Sequence, residues 1–206
     1  MNRYIAQVLA DAGLRNDSEA VNAARIHYWQ RYGATLLGMV RHHQIRPDDF
    51  LHHAHQFDDL TSMIRAEVGL VHLLRRLPGR KILLTNAPHR YASHVMRHLG
   101  LHRQFARAIT IESMRVHGQL RPKPSPLMLR HLLAKKRLQR RHCVLVEDTV
   151  CNLKSAHQLG LRTVWITRYG ITAPIGTPST FIKRPHYVDV KVKSVKQLSR
   201  QLRRLR

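Results

Sequence analysis

The pattern of hydrophobic and polar positions changes character about 80 residues into the chain. Before that point, apolar residues recur at steps of three and four behind helix-start residues such as Ser18 and Asp48 or Asp49, and no convincing strand occurs. This spacing predicts a series of amphipathic helices with a break near Pro47. We therefore expect a helical unit over residues 1–76.

After residue 80, short apolar runs alternate with helical stretches. The runs are KILLTNA (81–87), AITIES (108–113), HCVLVED (142–148) and RTVWITRYG (162–170). Such alternation is typical of a parallel α/β sheet covered by helices. The helices have marked ends, because Ser125 and Pro126 suit a helix start, and Gly100 and Gly160 suit helix ends. The pattern predicts an α/β core over residues 77–206.

Polar residues follow two of these runs, and a lysine lies in a loop nearby. Thr85 and Asn86 follow the first run, Lys123 lies in the loop RPKPSP, and Glu147 and Asp148 follow the third run. Right-handed crossovers bring the carboxyl ends of parallel strands to one edge of a sheet. A hydroxyl beside backbone amides suits phosphate oxygens, a lysine neutralises phosphate charge, and an aspartate suits Mg²⁺.

Together these residues predict a phosphate site. Each motif alone also has a plainer explanation: a turn after a strand, a solvated lysine in a loop, or an acidic helix cap. Their order along the chain and their placement at strand ends favour the functional interpretation.

Charge adds a second indication. The chain has 36 Lys and Arg residues against 12 Asp and Glu, a formal net charge of +24, with 16 His residues besides. Such a field attracts polyanions or small anionic substrates. In the terminal segment, an apolar stripe of Val195, Leu198, Leu202 and Leu205 among basic residues predicts a last helix docked on the domain. Contact with nucleic acid or a membrane surface is the alternative.

The cysteines and the apolar runs indicate a compartment. Cys143 and Cys151 flank the acidic pair in positions that fit packing better than a disulfide, which suggests reducing conditions. The chain shows no signal peptide core, and no apolar run approaches the ~20 residues that span a bilayer. We expect a cytoplasmic protein without a membrane segment.

With these motifs in hand, the chain resembles the haloacid dehalogenase (HAD) superfamily of phosphohydrolases, especially its pyrimidine 5'-nucleotidase-like branch. LLTNA with Thr85 looks like the second motif of that superfamily, RPKPSP with Lys123 like the third, and VEDTVCNLKSA like the fourth. The segment HYWQRYGATLLGMVRHH looks like the cap of the nucleotidase-like branch. The resemblance implies a Rossmann-like parallel sheet over 77–206 with a helical cap over 1–76.

The resemblance also implies roles for the motif residues. Asp148 would bind Mg²⁺ with Glu147 supporting the metal site, and Thr85 and Asn86 would bind the phosphoryl group. Lys123 would hold the nucleophile and the phosphate together electrostatically. The substrate would be a small phosphorylated molecule, a nucleoside monophosphate in the nearest branch.

The first motif of the family has no counterpart in these residues. That motif ends the first strand with Asp-x-Asp and supplies the nucleophile and the general acid/base, whereas Met1 is followed at once by cap-like helix. The acidic pairs 48–49 and 58–59 and the later Asp189 do not fit the position. We therefore expect little or no phosphatase turnover from this chain. A missing central strand would also leave two strand edges unpaired, which invites pairing with another chain.

Two hypotheses follow. In the first, the recorded sequence lacks the strand and first motif of a HAD-type hydrolase, through a late assigned start or a truncating lesion in the gene. An in-frame hydrophobic strand ending in Asp-x-Asp in the DNA upstream of Met1 would support the first of these causes. In the second, the chain is a catalytically dead protein that binds anions, nucleic acid or an acidic protein through its +24 charge.

Two further features have modest predictions attached. His52 and His55 in LHHAHQF lie three residues apart and could bind a transition metal, although no third ligand is evident. In the cap-like segment, Tyr28, Trp29 and Tyr32 are candidates for stacking on a base, but they cannot all face one way on a helix.

Overall fold

The computed structural model describes residues 1–168 and 183–202. The first part of the chain consists of helices and the loops between them, with no strand between residues 1 and 76, as its hydrophobic spacing predicts. The helices are α1 (Asn2–Asp11), α2 (Ser18–Tyr32), α3 (Thr35–His43), α4 (Pro47–Ala54), α5 (Leu60–Met63) and α6 (Leu70–Arg76).

The helix boundaries follow local chemistry. The side chain of Asp17 caps α2 by accepting a hydrogen bond from Ala20 N at 2.9 Å, so the cap lies one residue before the predicted Ser18. Helix α4 begins at Pro47, which fits the first helical turn because that position needs no N–H donor. The predicted break near Pro47 is therefore a helix start.

All four predicted apolar runs contain strands. They are β1 (Ile82–Leu84), β2 (Arg107–Ile109), β5 (Val144–Glu147) and β6 (Arg162–Ile166). Strand β1 pairs in parallel with β2, and β5 pairs in parallel with β6. The α/β fold class with parallel sheets is confirmed.

Three strands were not predicted from the sequence. Strands β3 (Arg115–Val116) and β4 (Gln119–Leu120) form a small antiparallel hairpin. Strand β7 (Val190–Val192) extends the second sheet by pairing in parallel with β6. Within the described residues, β5 is thus an edge strand of the order β5-β6-β7.

The helices of the second half begin and end near the predicted positions. They are α7 (His89–His98), α8 (Pro126–Lys135), α9 (Val150–Gln158) and the short α10 (Leu198–Gln201). Ser125 caps α8 as predicted, by accepting from Met128 N at 3.2 Å. The predicted terminal helix begins as a 3₁₀ turn at Val195–Gln197 before α10, and Leu205 lies outside the described residues.

The described residues divide into two compact units. One comprises residues 1–65, 82–102 and 107–113, and the other comprises 66–81, 103–106 and the described residues from 114 onward. In the second unit, Trp165, Leu153 and Val188 form a fully buried cluster. The division into a cap (1–76) and a core (77–206) stays a prediction. None of the described helices is long and apolar enough to cross a bilayer.

Candidate functional site

The end of β5 carries a buried ion pair. Lys123 Nζ donates a hydrogen bond to Glu147 Oε2 at 2.6 Å, and the two side chains are only 15% and 10% exposed. The lysine lies just before α8, and the glutamate is the last residue of β5. A lysine predicted from a proline-rich loop and a carboxylate predicted from a strand end therefore meet within one unit.

The pKa of Glu147 is raised even though Lys123 lies beside it. Burial raises the pKa of the Glu147 carboxyl, the charge of Lys123 lowers it, and neighbouring Asp148 raises it again, so that the net pKa lies above the ordinary carboxyl value. Lys123 contacts Glu147, and Asp148, with a second carboxylate, is the next residue along the chain. The arrangement favours any further positive charge placed beside the two carboxylates.

Asp148 presents an exposed carboxylate on an anchored backbone. Its Oδ1 accepts a hydrogen bond from Thr149 Oγ1 at 3.1 Å. Its backbone carbonyl accepts one at 3.0 Å from the indole N–H of Trp165, a side chain with no exposed surface. The buried indole fixes the backbone of Asp148, while the carboxylate stays available at the start of α9.

The end of β1 has a different chemistry. Thr85 N donates to Ile109 O at 3.0 Å, which continues the pairing of β1 with β2. Thr85 Oγ1 accepts a hydrogen bond from Ala87 N at 3.1 Å, so the hydroxyl closes a tight turn over Asn86. Thr85 and Asn86 are both half-buried. This motif is therefore explained structurally by a turn, which connects β1 to α7.

A residue that the sequence reasoning missed lies beside this turn. Glu112 Oε1 accepts a hydrogen bond from His89 N at 2.7 Å, at the first residue of α7. The N-cap of α7 is Pro88, which has no side-chain cap, so the glutamate satisfies an otherwise unpaired helix N–H. A carboxylate thus occupies the anion-favouring end of α7. The one signal in the sequence that could have identified Glu112 is its position three residues after the end of β2.

The predicted site residues fall into two groups. Lys123, Glu147 and Asp148 belong to one compact unit, and Thr85 and Asn86 belong to the other. The structure brings the first three together at the end of β5 and places the other two in one turn at the end of β1. A single phosphate site built from all five residues stays a prediction.

The donor set at β5 suits a hard divalent cation. Mg²⁺ is usually bound through one or two carboxylates and keeps several waters, and Glu147 and Asp148 supply two such groups. Burial, and to a lesser degree neighbouring Asp148, raises the pKa of Glu147, and a cation beside the two carboxylates would favour their ionised forms. The described residues contain no cluster of three or more His, Cys, Asp or Glu side chains that could hold a metal by themselves.

The two histidines proposed as metal ligands make contacts within the protein. His55 Nδ1 lies 2.9 Å from Leu51 O and its ring packs against Tyr91, whereas His52 Nε2 lies 2.8 Å from Gln56 Nε2. These contacts give the two histidines separate partners, and the metal interpretation gains no support from them.

The aromatic residues of α2 divide between two faces. Tyr28 OH lies 2.8 Å from His43 Nε2, and Tyr32 OH lies 2.6 Å from His42 Nε2. Trp29 is instead 43% exposed. Of the three candidates for stacking on a base, Trp29 is the one with a ring at the surface.

A comparison with known families decides the class of protein. Residues 3–160 match the family of haloacid dehalogenase-like hydrolases. The chain belongs to this family. The matched residues of this HAD-like hydrolase include the predicted positions Thr85, Lys123 and Asp148, whose roles stay predictions.

Solved structures agree with this membership at the level of fold. The HAD-like chain is similar to CbbY from Rhodobacter sphaeroides, solved in complex with phosphate (17% identity, TM-score 0.61, covering 96% of this chain and 88% of that one). It is also similar to a HAD phosphatase from Thermococcus onnurineus (16% identity, TM-score 0.58, covering 98% of this chain and 87% of that one). A third similar structure is L-2-haloacid dehalogenase from Xanthobacter autotrophicus with chloropropionic acid covalently bound (16% identity, TM-score 0.56, covering 97% of this chain and 93% of that one).

Proposed function

We propose that this HAD-like hydrolase is built for Mg²⁺-dependent hydrolysis of phosphate monoesters, with nucleoside monophosphates as substrates, in the manner of the pyrimidine 5'-nucleotidase-like branch. The observation that supports it is the buried Lys123–Glu147 pair beside the exposed carboxylate of Asp148. Two carboxylates and a lysine at one strand end suit a metal and a phosphate better than they suit a neutral substrate.

Each residue has a task in this proposal. Asp148 and Glu147 would hold Mg²⁺, which when bound offsets negative charge on the phosphoryl oxygens. Lys123, which donates to Glu147 at the end of β5, would limit repulsion between the carboxylates and a phosphate. Thr85 and the backbone amides of its turn are suitable donors to phosphoryl oxygens.

Bond-making needs a group that these residues do not supply. Hydrolysis through an aspartyl-phosphate requires a carboxylate nucleophile and a second acid that protonates the leaving oxygen. No Asp-x-Asp sequence occurs in the 206 residues. We propose that a strand carrying this motif is encoded upstream of Met1 and pairs along β5, which is an edge strand of its sheet within the described residues.

A second candidate function rests on charge. The chain carries 36 Lys and Arg residues against 12 Asp and Glu. If no catalytic strand exists, a protein with this field would act as a non-catalytic binder of nucleic acid or another polyanion. The edge of β5 would then be open to pairing with a second copy of the chain.

Phosphate release from CMP and UMP with and without Mg²⁺ tests the main proposal. The assay uses the 206-residue chain and a version extended by the in-frame upstream codons, with chloride release from 2-chloropropionate as the competing activity. We expect Mg²⁺-dependent phosphate release from the extended chain and almost none from the short one. Within the extended chain, Asp148→Asn should lose activity, whereas the control Asp58→Asn, which removes an exposed carboxylate elsewhere, should match the parent.

Three results would count against parts of this proposal. Turnover by the short chain would overturn the argument about the nucleophile. A stop codon immediately upstream of Met1 would remove the upstream strand. Chloride release without phosphate release from the extended chain would replace the phosphatase assignment with a dehalogenase.

A further inference from the structure

A basic cleft lies at the carboxyl ends of β6 and β7. Its volume is about 410 Å³, and it is lined by three cationic side chains, Lys191, Lys193 and Arg200, together with Thr167 and Gln197. Ligand pockets range from about 300 to 1,000 Å³, so the cleft can admit a group as large as a phosphate or a nucleotide unit. None of these residues belongs to the three family motifs.

Backbone pairing holds the floor of the cleft in place. Thr167 N donates to Val192 O at 3.0 Å and Arg168 N donates to Lys193 O at 3.0 Å, so the chain after β6 stays in register with the chain after β7. Gln197 Oε1 accepts from Lys193 N at 2.7 Å. That bond holds the amide oxygen of Gln197 against the backbone of Lys193.

Basic residues line the cleft, and the nearby glutamate pairs with cations outside the lining. Glu67 lies 3.6 Å from Lys196 and 3.9 Å from Arg168, and neither the glutamate nor any other carboxylate lines the cleft among the described residues. Lys191 Nζ lies 5.0 Å from the ring centroid of Trp165, so the ammonium group makes a cation–π contact with the indole. The acidic charge therefore neutralises cations outside the lining, while the lining itself stays basic.

We propose that this cleft binds a phosphate group, carried by a polynucleotide backbone or by a free phosphorylated molecule. The lining contains ammonium, guanidinium and amide groups and, among the described residues, no acidic group, which is the chemistry that phosphate oxygens require. The overall charge of +24 adds long-range attraction for either source and favours a polyanion most strongly. The site would serve binding, independently of whether the chain hydrolyses phosphate esters.

Fluorescence anisotropy with a labelled single-stranded RNA of about 12 nucleotides, within the ~4–16 that one binding module commonly covers, tests the polymer arm. Calorimetric titration with inorganic pyrophosphate tests the small-molecule arm. The test variant is Lys193→Gln with Arg200→Gln, which removes two exposed charges from the lining. The matched control is Arg130→Gln with Lys135→Gln, which removes two exposed charges from α8. Thermal unfolding midpoints of both variants establish that they fold.

We expect RNA affinity to fall about tenfold in the cleft variant and less than about twofold in the control, since local phosphate contacts rather than net charge are lost. The slope of log affinity against log salt should shrink by about 1.4, at about 0.7 for each lost contact to a single strand. If the double variant unfolds, Arg200→Gln alone should weaken binding about threefold.

The two arms separate the sources of phosphate. Displacement of the RNA by pyrophosphate supports a site open to either source, RNA binding without displacement supports the polynucleotide, and pyrophosphate binding alone supports the free molecule. Equal weakening by the cleft and control variants, or no binding of either probe at about 50 mM salt, would overturn the proposal. None of these outcomes depends on phosphatase turnover.

Discussion

The ends of β1 and β5 are alike in the sequence and different in the structure. Polar residues follow an apolar run in both places. At β1, Thr85 is neutral and its hydroxyl bonds to a backbone N–H two residues away. At β5, the carboxyl group of Glu147 accepts a hydrogen bond from Lys123, which lies 24 residues earlier in the chain.

The difference shows what each strand end can accept. The turn at β1 is satisfied locally, and the neighbouring helix end already holds a carboxylate, that of Glu112. The end of β5 combines two carboxylates with one lysine, and the pKa of Glu147 is raised, first by burial and also by Asp148. Under the proposed function, the first region would accept an anion that competes with Glu112, and the second would accept a cation.

Breaking the ion pair should produce the largest effect. Lys123→Met leaves the Glu147 carboxylate buried without its lysine, and removing one partner of a buried pair costs about 3 to 5 kcal/mol. We expect the free energy of unfolding, measured by urea denaturation near neutral pH, to fall by that amount.

The matched control removes both charges. Lys123→Met with Glu147→Gln should recover most of the stability, because replacing a whole buried pair is often close to neutral. If the double variant is as unstable as the single one, the loss comes from packing of the lysine stem and the ion pair is not the cause.

The pH dependence should have opposite signs at the two ends. The folded pKa of Glu147 is raised above 4.5, so its contribution to stability is full below pH 4.5 and is lost as pH rises through the folded pKa. A tenfold change in the acid dissociation constant of a carboxyl corresponds to about 1.4 kcal/mol of stability. Relative to Glu147→Gln, the parent protein should therefore lose stability as pH increases from 4.5 towards neutrality.

Glu112 is the control for that measurement. Burial pushes the pKa of Glu112 up, but hydrogen bonds from Thr110 and from His89 N outweigh it, and the net pKa lies below 4.5. Its contribution is present above pH 4.5 and is lost as pH falls through the folded pKa. Urea denaturation from about pH 3 to about pH 8 should give differences of opposite slope for Glu147→Gln and Glu112→Gln; parallel slopes would contradict the comparison.

How far the sequence anticipated these regions depends on the distance over which each feature is determined. Strand β5 and the Ser125 cap of α8 follow from neighbouring residues, and both were predicted. The partner of Lys123 lies 24 residues away and the partner of Glu112 lies 23 residues away. Hydrophobic spacing contains no information about such pairs.

The missed strands have a similar explanation. The turn between β3 and β4 places His117 and Gly118 at φ values of 51° and 76°, the left-handed pair that a two-residue hairpin needs. Gly118 is the detectable signal, but strands as short as β3 and β4 carry no measurable alternation. Strand β7 is three residues long, and it forms by pairing with the edge of β6 that β5 does not occupy.

Magnesium should stabilise the end of β5 if the proposed metal site exists. A ligand that binds only the folded state at about ten times its Kd adds about 1.4 kcal/mol. We expect thermal unfolding of the parent chain to shift upward with MgCl₂ and the shift to disappear in Asp148→Asn. Asp58→Asn, which removes an exposed carboxylate elsewhere, should keep the shift. An equal response in all three proteins would indicate a general salt effect.

The turn at β1 should show the smallest effect. Thr85→Val keeps the shape of the side chain but removes the oxygen that accepts from Ala87 N at 3.1 Å. A lost hydrogen bond of this kind costs about 1 kcal/mol, because the turn is only half-buried and water can replace part of the bond. Thr85→Ser keeps the acceptor and should match the parent in urea denaturation. A loss as large as that of Lys123→Met would mean that the β1 turn supports far more than its own backbone, and the contrast between the two strand ends would fail.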